Sequence, residues 1–220
     1  MAVRQIVQWH PNPGRGAELL SQMAEAKQIH QRLGWRVRAW QTLAAGPQPV
    51  TIAYVLESDT MSAHITAMEK GQGDAQWQSF QQRVLQSASP TGVMVFNGLT
   101  TEIAGLEAEA LTTAPGSLVA TVRQWQAKPG RVENLIQQSR ELKPILNGLG
   151  GIVSVSQNTF AGAAVGVLSR VTVFEGLAAF RTFQEKAAAS AELQALIPKM
   201  QAADAPGVLL SASLIQEIPI

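Results

Sequence analysis

The sequence predicts an α+β protein built from two tandem units, each in the order β-α-β-β-α-β, whose antiparallel sheets pack together within one chain. Three observations carry this expectation. The chain aligns with itself at a shift of 116 residues, which sets Gln8-Trp9 on Gln124-Trp125. Strand-like runs and helix-like stripes recur in one order in both halves. Glycine and proline punctuation falls at matching places.

The register is dense. Pro13-Gly14-Arg15 falls on Pro129-Gly130-Arg131, Leu33-Gly34 on Leu149-Gly150, Val37 on Val153, Gln41 on Gln157 and Glu69-Lys70 on Glu185-Lys186. Beyond Pro90 and Pro206 the shift becomes 115, pairing Gly92-Val93 with Gly207-Val208 and Glu102-Ile103 with Glu217-Ile218. One residue was gained or lost at a turn.

Each element follows from local pattern. Residues 3–9 and 118–125 are β-rich runs ending before a Pro-Gly turn, so each is a first strand. A helix over 14–33 carries the stripe Leu19, Met23, Ala26, His30 and Leu33. Its counterpart over 131–149 carries Val132, Leu135, Leu142, Leu146 and Leu149. Gly34 and Gly150 stand where a glycine cap ends a helix, and Pro144 predicts a kink in the second copy. Second strands are expected over 36–42 and 152–158. Third strands, over 50–56 and 165–173, follow turns at Gly46-Pro47 and Gly162. The next helix is broken in both halves. A first piece covers 60–70, and a second opens after Asp74, whose counterpart is Ser190; both are good N-cap residues. Last strands are expected over 93–103 and 208–218. The domain reading is therefore unit one over 1–103, a linker over 104–117 that includes Thr112-Thr113-Ala114-Pro115-Gly116, and unit two over 118–220.

Composition excludes several function classes. Hydrophobic residues make up 46%, charged residues 15%, and the net charge is +1. No basic footprint for nucleic acid or an anionic membrane exists. The chain has no cysteine, which removes disulfides, thiolate nucleophiles and iron–sulfur clusters. No apolar run has the length of a membrane span and no signal peptide is evident, so a cytoplasmic address is expected. No phosphate loop, dinucleotide fingerprint, nucleophile elbow or zinc-protease motif occurs.

A β-α-β-β-α-β unit is the ferredoxin-like arrangement, with both helices on one face of a four-stranded sheet. The other face is apolar, and one unit alone leaves it uncovered. Here the sequence resembles the dimeric α+β barrel superfamily, in particular its NIPSNAP-like and antibiotic-biosynthesis-monooxygenase-like branches. The resemblance rests on a strand ending in an aromatic residue before Pro-Gly-Arg (Trp9 to Arg15; Trp125 to Arg131) and on Asp74-Ala75-Gln76-Trp77-Gln78-Ser79-Phe80. The second half departs from the latter with Ser190, Leu193 and Leu196. The resemblance covers nearly the whole chain, but its motifs are short and mark fold more than chemistry. It implies a pocket between helices and sheet. The activities it implies range from cofactor-free oxygenation or proton transfer on an aromatic substrate, through haem handling, to a non-catalytic assembly module.

The halves differ in what could do chemistry. All three histidines, the single tyrosine and four of the five tryptophans lie in unit one. His30 stands where unit two has Leu146, and His64, on the stripe Met61, His64, Ile65 and Met68 of the next helix, stands where it has Phe180, so each is expected to point toward the sheet. A buried imidazole in a hydrocarbon position needs a hydrogen-bond partner. It is either a satisfied core histidine or a ligand-facing general base or donor. Tyr54, the counterpart of Arg170, is a candidate to orient a substrate. The catalytic candidates are thus His30, His64 and Tyr54, and the ligand-binding candidates Trp9, Trp35 and Trp40. No metal site is expected, and no cofactor apart from the haem that the resemblance allows. The expected partners are a small molecule and a second copy of the fused pair, without nucleic acid or membrane.

Overall fold

In the computed structural model, residues 1–45, 50–108 and 117–220 are described. The turn at Gly46-Pro47 and the linker segment 112–116 lie outside them. Unit one runs β1 (Val3–Pro11), α1 (Gly16–Leu33), β2 (Arg36–Ala44), β3 (Ile52–Ser58), α2 (Met61–Gly73), α3 (Ala75–Leu85) and β4 (Gly92–Glu102). Unit two runs β5 (Val119–Ala127), α4 (Val132–Gly148), β6 (Ile152–Phe160), β7 (Leu168–Phe174), α5 (Leu177–Ala189), α6 (Ala191–Gln201) and β8 (Gly207–Ile218). Element starts stand 116 residues apart from Val3 and Val119 through Ala75 and Ala191, and 115 apart at Gly92 and Gly207.

Among the described residues, β1 to β8 pair antiparallel and close into one barrel in the order β1-β3-β2-β8-β5-β7-β6-β4. Two seams join the units. At one, β2 pairs with β8, with Ala39 opposite Ile218 and Thr42 opposite Ile215. At the other, β4 pairs with β6, with Thr101 opposite Gln157. Closure supplies partners to strand edges that a single four-stranded sheet leaves open. Helices cover the outside of the barrel.

Strand alternation therefore produces an inner and an outer core. Inside the barrel, Trp40, Leu118, Ala120 and Val173 pack together. Outside, α1 to α3 bury Leu19, Met23, Ile29 and Leu33 against Ile52, Tyr54 and Leu56. On the other side Leu142 and Leu146 of α4 meet Val153, Phe174 and Phe183. Each such fully buried aliphatic side chain is worth about 1.5–3 kcal/mol in transfer free energy.

Local chemistry accounts for the boundaries. Gly34 caps α1 in the left-handed region at φ 117°, which only glycine adopts without strain. Asp74 and Ser190 accept hydrogen bonds from Trp77 N and Leu193 N, starting α3 and α6 at equivalent places. Arg15 and Arg131, whose role the sequence leaves open, each reach three residues along, to Glu18 and Asn134.

Several expectations need correction. Strand β7 starts at Leu168, not 165, because Gly162–Ala164 forms a 3-10 turn that uses up the chain. Helix α4 runs through Pro144. Val132 is exposed, since it opens the first turn of α4 before the helix has bent onto the sheet. Of the expected stripe Met61, His64, Ile65 and Met68, only His64 is buried. The buried face of α2 is His64, Ala67 and Gly71, while Ile65 and Met68 are exposed.

Candidate functional site

On β1 the outward residues are Gln5, Val7 and Trp9, opposite Leu56, Tyr54 and Ile52 of β3. Helices α1, α2 and α3 do not close down on this face completely. They leave a cavity of about 730 Å³ between themselves and the sheet. Leu19, Met23 and Ala26 of α1 form one wall, and Trp77, Phe80 and Val84 of α3 form another. Polar groups at its margins are all neutral amides or hydroxyls: Gln5, Gln22, Gln72, Gln78, Asn97 and Thr91. No Asp, Glu, Lys or Arg lines it among the described residues.

Two polar side chains sit at the base of this cavity. His30 Nδ1 and Tyr54 Oη are 2.8 Å apart, and both groups are buried. The His30 ring is boxed by Trp35, edge-on at 5.3 Å between centroids, and by Trp77 at 4.4 Å. Burial lowers the His30 pKa to about 4 and pushes the Tyr54 phenol above its ordinary range, because a charged ring or phenolate in this apolar setting loses its hydration. At neutral pH the pair is therefore uncharged. It can present a hydroxyl proton to a ligand oxygen, or pass a proton along the Oη–Nδ1 axis.

The structure brings His30, Tyr54, Trp9 and Trp35 together on this cavity. It does not bring His64 or Trp40 there. His64 is fully buried beside the cavity wall, where Trp35 Nε1–H donates to His64 Nδ1 at 3.0 Å and Ser58 Oγ stands 3.5 Å away. That bond puts the His64 proton on Nε2, which has no partner among the described residues. Trp40 points into the barrel, because it follows Ala39, whose cross-strand partner is Tyr54, and successive strand residues face opposite ways.

Trp77 is the site residue that the sequence reading undervalued. It belongs to the Asp74-capped segment quoted for resemblance, three residues before Phe80, with which it stacks at 5.4 Å. Helical spacing from a fixed N-cap places both rings on one face. The glutamines of the margin carry no signal in a single sequence.

Among the described residues no group of three or more His, Asp or Glu side chains could hold a metal ion. No helix is long and apolar enough to cross a membrane.

No family model matches the sequence, and no curated protein matches it. Solved structures do match in fold. A candidate monooxygenase from Fusobacterium nucleatum subsp. nucleatum is similar at TM-score 0.67 and 8% identity, covering 99% of this chain and 93% of the other. An anthrone oxidase-like protein is similar at TM-score 0.58 and 12% identity, covering 99% and 92%. A variant of DypB from Rhodococcus jostii RHA1, solved in complex with heme, is similar at TM-score 0.54 and 7% identity, covering 99% and 93%. At these identities the likeness concerns the fold alone, and that fold is the dimeric α+β barrel.

Proposed function

We propose that the cavity of residues 5–97 binds a small, uncharged, largely aromatic molecule, and that Tyr54 and His30 orient it through a carbonyl or hydroxyl oxygen. The observation that carries this reading is the 2.8 Å Tyr54–His30 pair at the base of a cavity of about 730 Å³ with no charged lining. A charged ligand buried there would lack a counter-ion, whereas a neutral ring system gains apolar contact with Trp9, Trp35 and Trp77.

The chemistry this pair offers is proton transfer. A ligand hydroxyl can give its proton to Tyr54 Oη while the phenol gives its own to His30 Nδ1, leaving a ligand oxyanion beside an imidazolium. Cofactor-free, monooxygenase-like activity on such a substrate is the enzymatic extension of that step, with dioxygen as co-reactant. The similar folds of a candidate monooxygenase and an anthrone oxidase-like protein are consistent with it. We place the chain nearest the NIPSNAP-like and antibiotic-biosynthesis-monooxygenase-like branches on the motifs around Trp9, Trp125 and Trp77. We further read its halves, 1–103 and 118–220, as products of a tandem duplication, with the ligand site in the first.

Haem fits this lining poorly. Two propionates would find no Lys or Arg among the described lining residues, and His30 has its Nδ1 engaged by Tyr54 with tryptophans on two sides of its ring. No step is assigned through it.

Anthrone, a neutral tricyclic ketone, is a suitable probe. Titration followed by calorimetry should give saturable 1:1 binding, weakened tenfold or more in Tyr54→Phe. Absence of binding to the wild-type protein, or equal affinity in Tyr54→Phe and His30→Leu, overturns the reading. Conversion of bound anthrone to the quinone with oxygen uptake separates an enzyme from a binder.

A further inference from the structure

Unit two carries a feature that unit one lacks. Arg170 of β7 stands at the position of Tyr54, and Arg123 of β5 at the position of Val7. The two arginines face each other directly across the β5–β7 ladder, on the side of the sheet that α4 covers. Arg170 is only 6% exposed, whereas Arg123 reaches solvent. The Arg170 guanidinium lies over the Trp125 ring at 4.8 Å. Its other cross-strand neighbour is Val155, which packs beneath Leu135 and Ile136 of α4.

Among the described residues, Arg170 makes no ion pair and no hydrogen bond. The buried carboxylates Glu102 and Glu217 are engaged elsewhere, by Arg4 and Arg38. A buried guanidinium without an anion is costly, and a second one opposite adds repulsion. Burial, reinforced by Arg123, lowers the Arg170 pKa to about 9. Stacking on Trp125 offsets part of that cost. Among the described residues the atoms fully enclosed without a partner are His64 Nε2 and Thr100 Oγ1, and the Arg170 nitrogens are not among them. The guanidinium edge therefore keeps a path to solvent.

We propose that Arg170 and Arg123 form a binding site for a small organic carboxylate, with the carboxylate held edge-on by Arg170 and its apolar body against Trp125. A planar guanidinium stacked on an aromatic ring leaves its in-plane N–H groups free for a bidentate carboxylate. An anion in this place supplies the missing counter-charge to the buried group and is drawn in by the exposed one. The barrel then has two unlike ligand sites, a neutral one built on Tyr54 and an anionic one built on Arg170.

Calorimetric titration of the full-length protein with benzoate tests this. Wild type should bind one equivalent saturably, Arg170→Met should weaken binding at least tenfold, and Arg123→Met several-fold. Arg170→Met should melt no lower than wild type in the absence of benzoate, because it removes an unpaired buried charge; this separates lost binding from lost folding. Tyr54→Phe should bind benzoate as wild type does, which keeps the outcome independent of the neutral site. Inorganic phosphate should compete weakly, being without an apolar body. Lack of saturable benzoate binding, undiminished binding in both arginine variants, or binding abolished by Tyr54→Phe overturns the proposal.

Discussion

The Trp35 indole donates its Nε1–H to His64 Nδ1 at 3.0 Å, so one tryptophan both lines the cavity and fixes a histidine that lies outside it. The bond determines the His64 tautomer and leaves Nε2–H without an acceptor among the described residues. Trp35→Phe keeps most of the packing but strands Nδ1 as well, apart from Ser58 Oγ at 3.5 Å. It should cost about 1–3 kcal/mol of unfolding free energy. His64→Leu removes Nδ1 and Nε2 together and strands only the Trp35 Nε1–H, one unpartnered atom against two, so it should cost less than Trp35→Phe. Urea denaturation of the two variants checks the order.

The stability of the protein should fall in mild acid. The folded-state pKa of His30 is lowered to about 4 from 6.5, and that of His64 is also lowered, both by burial. Between the two values the unfolded chain binds protons that the folded chain does not, so stability decreases as pH falls from 6.5 toward 4 and levels off below. His30 alone accounts for about 3 kcal/mol over that window. Unfolding free energies from pH 7 to pH 4 should show the slope, and His30→Leu should flatten it.

Trp40 and Trp9 should separate stability from binding. Trp40→Ala empties part of the barrel interior shared with Leu118, Ala120 and Val173. It should cost about 3–5 kcal/mol while leaving anthrone affinity within a few-fold of wild type. Trp9→Ala removes cavity wall and should weaken anthrone binding tenfold or more. Paired denaturation and calorimetry on both variants test the assignment.

An ion pair with one buried partner crosses the seam between the units. Arg38 Nη1 donates to Glu217 Oε1 at 2.7 Å, and the Glu217 side chain is 2% exposed. Arg38→Met removes one of the partners of that carboxylate and should cost about 1–3 kcal/mol. The surface pair Arg83–Glu25, disrupted by Arg83→Met, should cost under about 1 kcal/mol. Chemical denaturation of both variants measures the contrast.

How much of this was legible in the sequence varied with the physics involved. Strand and helix order was readable because two copies of the pattern corrected one another, and the breaks at Asp74 and Ser190 were marked by capping chemistry. The placement of His30 followed from helical spacing on α1, where every stripe residue is buried. On α2 the same reasoning buried His64 correctly but misplaced Ile65 and Met68, since only the docking angle of the helix decides which side is covered. Trp40 was misplaced because strand parity at a barrel wall gives two buried faces, and hydrophobicity does not distinguish inside from outside. Arg170 was recorded only as the counterpart of Tyr54. Its isolation from the carboxylates of the described residues is a property of three-dimensional placement.

The two seams have a consequence for how the chain assembles. The chain passes from β4 to β5 through the stretch between Glu102 and Val119, while β2–β8 and β4–β6 supply the ladders that close the barrel. Tethering holds each unit at a high effective concentration of its partner. Cleavage within that stretch turns ring closure from a first-order event into a bimolecular one, and the barrel becomes sensitive to dilution.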